Sequence, residues 1–176
     1  MDLRKMFCGF RFLIYLLETF FLYSLEHSSL PKFGFLSVTP LLIPSLIVFV
    51  SLFEGEVFGF VFAFLSGLFL DFGFGIPLGI YASCLGIIGY VLGVLANYFI
   101  NAGFFATWFF GGLTGALILV LRFFTNYGHL GFAGLGNVFL EVYLPIMIYT
   151  FLAAPLVIWF NKIVFYYVRS VRGENR

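Results

Sequence analysis

Charge is what this sequence has least of. Its 176 residues include nine lysines and arginines and eight aspartates and glutamates, about 10% of positions where soluble domains carry about 25%. A water-soluble domain of this length has no means of hiding so much apolar surface, so that class is excluded. A net charge of +1 says nothing about nucleic acid, and no basic run suggests it. Cysteine is equally scarce. Cys8 and Cys84 do not make a disulfide framework, and Cys84 lies in an apolar run where a thiol acts as a small hydrophobe. The two histidines, His27 and His129, are too few and too far apart to suggest a metal site. No nucleophile–base pair, phosphate-cradling loop or paired carboxylates stand out, so the expectation is a protein without catalytic residues, metal or cofactor.

What is present is apolar: 62% of positions are hydrophobic, and phenylalanine alone occurs 28 times. A spanning helix takes roughly 20 residues. The sequence therefore predicts an all-α integral membrane protein, one transmembrane domain over residues 1–176 with about six spans, near 10–25, 39–53, 57–72, 78–98, 104–124 and 142–164. Arg4 and Lys5 precede the first apolar run as in a signal peptide. No small-x-small cleavage site follows and Glu18 interrupts the run, which predicts a retained first span. Span two is short, and Pro44 bends it unless it falls in the first turn. Pro77 suits the first position of span four, while Pro145 and Pro155 break or kink span six. The glycine-rich stretch at 125–137, TNYGHLGFAGLGN, reads as the longest loop.

Cations set the expected orientation. Arg4, Lys5 and Arg11 precede span one, and Lys162, Arg169, Arg172 and Arg176 follow or close span six; only Lys32 and Arg122 fall on the other side. Both termini are then cytoplasmic. Tyr166, Tyr167, Trp159 and Lys162 look like an interfacial anchor.

The residues 55–79 organise the rest. Gly55, Gly59, Ala63 and Gly67 recur every fourth place, and the same spacing lands on Asp71. Residues four apart share one side of a helix, so the run offers a ridge without side chains on which another backbone can lie. Gly73, Gly75, Pro77 and Gly79 follow as a turn. Two readings of Asp71 stand open. It caps that turn, accepting N–H bonds near residues 76–79, or it pairs with Arg122 directly or through water, at similar depth on the outer side. Glu18 is the deepest ionisable group, with no cation at its depth. The expectation is a protonated carboxyl bonded to a hydroxyl or amide, acting as polar glue between helices or toward a partner helix.

Residues 46–93 resemble the MreD family, the small membrane component of the bacterial rod-shape system. The matching features are Gly55, then Gly67-Leu68 with Asp71, then Pro77-Leu78-Gly79, then Gly89-Tyr90 with Gly93. Where the family often has glutamine in span one, this sequence has Glu18. The resemblance implies a non-catalytic scaffold in the bacterial cytoplasmic membrane that binds MreC and belongs to a wider complex with MreB, RodA and a class B penicillin-binding protein. It also implies an architecture similar to the substrate-binding subunits of energy-coupling-factor transporters. The competing reading is such a vitamin-capture subunit, but those subunits typically carry an alanine-x-x-x-alanine pattern in span one, and FRFLIYLLETFFLYSL holds no alanine. A lipid flippase would need a polar central cavity, for which Glu18 and Asn97 are the only support.

Overall fold

The computed structural model describes residues 3–27, 40–74, 79–99, 103–127 and 135–171. Pro77 and most of the glycine-rich stretch lie outside them. The described residues form helices α1 (Leu3–His27), α2 (Ile43–Glu54), α3 (Glu56–Phe74), α4 (Ile80–Tyr98), α5 (Phe104–Tyr127), the single turn α6 (Leu135–Val138) and α7 (Leu144–Val171), with a π-helical stretch Phe139–Tyr143 joining the last two. Among the described residues there is no strand. Four helices, at Glu56–Gly73, Ile80–Tyr98, Phe104–Tyr127 and Phe139–Tyr166, are long and apolar enough to cross a membrane. By length and composition the chain is a multi-pass membrane protein.

Successive long helices run antiparallel. Arg11 and Glu26 of α1 meet opposite ends of α2, at Glu54 and at Leu42–Ile43. Between α2 and α3 only Gly55 intervenes, with φ at +95°, a backbone setting that L side chains rarely adopt. Along α3 and α4 the pairings run in reverse order, Glu56 with Gly93, Ala63 with Gly89 and Gly67 with Ala82. Trp108 meets Phe151, Gly115 meets Thr150 and Phe123 meets Tyr143 along α5 and α7.

The shortest of these helices is the innermost. α2 has 12 residues, about 18 Å of rise against a hydrocarbon core of about 30 Å. Every residue from Ile43 to Leu52 is buried. A helix apolar on all sides belongs inside a bundle rather than on its surface. Pro44 sits in its first turn, where the missing N–H costs no bond and no kink follows. The amide donors that lead into it are met by other helices. Leu41 N–H donates to Thr150 Oγ1 at 3.0 Å, and Leu42 and Ile43 N–H to Glu26 Oε1 at 2.5 and 3.0 Å.

Span six differs from the sequence expectation. α7 runs on through Pro155 to Val171, longer than 142–164, and the irregularity lies before it, in the π-helical stretch beside Pro145. Pro155 has no N–H for the carbonyl of Phe151. The indole of Trp108 donates to that oxygen instead, at 3.0 Å. A neighbouring helix thus fills the bond that a proline leaves open inside a membrane helix.

Candidate functional site

The small-residue ridge of α3 faces α4 and α2. A methyl group added at Gly67 would lie 2.5 Å from Ala82 Cα, at Gly89 2.7 Å from Ala63 Cβ, and at Gly93 2.3 Å from Glu56 Cα. One at Gly59 would lie 2.8 Å from Ser51 Cα in α2. Each of these is closer than real Cβ atoms come. The backbones of α3 and α4 touch because side chains are missing, and dispersion at that range holds helices together where lipid supplies no hydrophobic drive. α5 repeats the device against side chains instead of backbone, with Gly112 under the Phe151 ring and Gly115 under Thr150.

At the far end of the ridge Asp71 is fully buried. Its Oδ2 accepts the N–H of Gly79 at 2.8 Å and of Ala82 at 3.3 Å, and its Oδ1 accepts the N–H of Tyr81 at 2.9 Å. The carboxylate therefore caps the start of α4, where orphan donors and the positive end of the helix dipole converge. Gly79, at φ +106°, turns the chain into position to present those donors. Of the expected residues 76–79 only Gly79 is among the described ones, and the bonds run on from it to Tyr81 and Ala82.

Glu26 does the same for α2, which the sequence did not announce: it reads as part of a polar exit from the membrane. Two helices thus begin at this end of the bundle under a carboxylate from the helix before. Arg122 of α5 stands close by. Its charge acts on Glu26 and on Tyr81, the residue whose amide Asp71 holds. Phe123, Tyr127, Phe139 and Tyr143 close this end as an aromatic cluster with ring centroids 5.2 to 6.3 Å apart.

The opposite end is organised around Glu54. Arg11 Nη1 donates to Oε1 at 2.7 Å and to Oε2 at 2.9 Å, and the Tyr15 hydroxyl to Oε1 at 3.2 Å. The guanidinium also lies 5.6 Å from the centre of the Phe165 ring. Glu56 accepts from Asn97, tying the start of α3 to the end of α4. Nearby, Lys162 Nζ lies 5.9 Å from the Tyr166 ring centre and Trp159 is exposed, within the segment expected to anchor the last span.

Between the two ends, Glu18 meets an amide. Asn161 Nδ2 donates to Glu18 Oε1 at 2.6 Å and to the Val157 carbonyl at 2.9 Å. Asn161 itself was visible as a lone amide in an apolar run, but its partner 143 residues away was not.

Nothing in this arrangement brings a nucleophile beside a base, and among the described residues no group of three potential metal ligands gathers. No protein-family model, curated protein or solved structure matches the chain.

Proposed function

We propose that this chain is a non-catalytic scaffold of the bacterial cell-wall elongation machinery, an MreD-like protein that docks MreC and so helps to position the cell-wall synthases. In this reading it lies in the cytoplasmic membrane with six spans, α1 and α2 included, and both termini in the cytoplasm. The ridge end of Asp71 then faces outward. The observation that supports it is the task found for the resembling residues. Gly55, Gly67, Asp71, Gly79, Gly89 and Gly93 all serve one α3–α4 hairpin, as turn, contact or cap. A pattern devoted to the rigidity of one hairpin fits a platform for another protein better than a site for chemistry. The apolar side chains left exposed on α7, among them Ile148, Leu152 and Leu156, then meet lipid or the MreC span.

The test is co-expression with MreC and extraction in a mild detergent. The two proteins are expected to elute together; separate elution overturns the proposal. A small molecule co-purifying in stoichiometric amount would favour instead the alternative of a vitamin-capture subunit of an energy-coupling-factor transporter.

A further inference from the structure

The contact between α1 and α7 has an incomplete set of hydrogen bonds. Both N–H groups of the Asn161 amide are used, one by Glu18 Oε1 and one by Val157 O. Two buried atoms of the same pair have no hydrogen bond, Glu18 Oε2 and Asn161 Oδ1. With Glu18 ionised both are acceptors only, and a pair of buried acceptors is unfavourable. A carboxylic acid and an amide have one fully complementary state, in which the acid O–H points to the amide oxygen while the amide N–H points to the acid carbonyl.

The charged and titratable groups around the pair have other partners. On α1 itself Arg11 binds Glu54 of α2 and lies over the Phe165 ring, and the Tyr15 hydroxyl donates to the same Glu54. Lys162, next to Asn161 on α7, lies over Tyr166. α3 presents Phe58 and Phe62 to this part of α1. One proton on Oε2 serves both orphan oxygens.

We infer that Glu18 carries a proton on Oε2 and donates it to Asn161 Oδ1, closing a neutral hydrogen-bonded ring that ties the first helix to the last. The ring is a structural tie whether or not MreC is the partner, so its test is independent of the scaffold reading.

The experiment uses the full chain in lipid nanodiscs. Infrared spectra at neutral pH are expected to show a protonated-carboxyl C=O band that Glu18→Gln removes. Glutamine reproduces the protonated acid, donating to Asn161 Oδ1 and accepting from Nδ2. Glu18→Gln should therefore keep the wild-type melting temperature, whereas Glu18→Leu and Asn161→Leu should each lower it. Loss of a carboxylate band instead of a protonated one in Glu18→Gln, or a Glu18→Gln protein as unstable as Glu18→Leu or unable to fold, overturns the inference.

Discussion

The α3–α4 hairpin and the α1–α7 seam hold helices together in opposite ways. In the hairpin the contact is backbone on backbone, continuous from Glu56 and Gly93 to Gly67 and Ala82. At the seam the described ties are side-chain contacts set apart along the helices, Glu18 with Asn161 and Arg11 over Phe165. On α1, Leu13, Leu17, Phe20 and Phe21 remain exposed. The difference teaches that a membrane helix can be secured by closeness, which tolerates no added atoms, or by polar bonds, which tolerate added atoms but not lost partners. Steric substitutions should damage the first region, and apolar replacements that remove a polar partner the second.

The largest effect is expected from bulk in the hairpin. Gly93→Leu and Gly67→Leu each force the two backbones apart and should cost about 3 kcal/mol or more, read as loss of the folded fraction in a denaturant titration in detergent. Wild-type stability of either variant would break the comparison. Next comes Asp71→Ala, which strips the buried donors at the start of α4. A loss of about 2 kcal/mol is expected in the same titration, with Asp71→Asn intermediate because one acceptor oxygen survives.

A smaller change tests the bond made around Pro155. Trp108→Phe leaves the Phe151 carbonyl without its donor and should cost about 1 kcal/mol. In a Pro155→Ala background the alanine N–H recovers that carbonyl, so the tryptophan replacement should cost distinctly less. A double-mutant cycle measures the coupling, and a value of zero would refute the substitution of one donor for the other. The smallest effect is expected at the exposed side of the Glu54 cluster. Glu56→Gln, which keeps an acceptor for Asn97, should shift stability by less than about 0.5 kcal/mol.

Much of the hairpin was legible because its signals are local. The four-residue spacing of Gly55, Gly59, Ala63 and Gly67 marks one helix face, and a carboxylate just before a glycine-rich turn has few places to go but the next helix start. Pro44 was legible only as an alternative, since a kink and a first turn look alike until the boundary is known. The seam was not legible. Glu18 and Asn161 are 143 positions apart, and Arg11 and Glu54 are 43 apart. Periodicity reports which face a residue occupies and says nothing of which distant face it meets. The partners of Glu26 were not legible for a related reason, because a polar residue at a helix end looks solvated unless the reach of its side chain to Leu42 and Ile43 is seen.

The burial of α2 on every side has a consequence for biogenesis. Its covering comes partly from α5 and α7, which leave the ribosome long after it does. Tethered to α3 by a single glycine, it must enter the bilayer as half of a hairpin and wait there, shielded by acyl chains or by the insertion machinery, until α5 and α7 displace them. Nascent chains stopped after α4 would hold that helix in its unfinished surroundings, where quality-control proteases can find it.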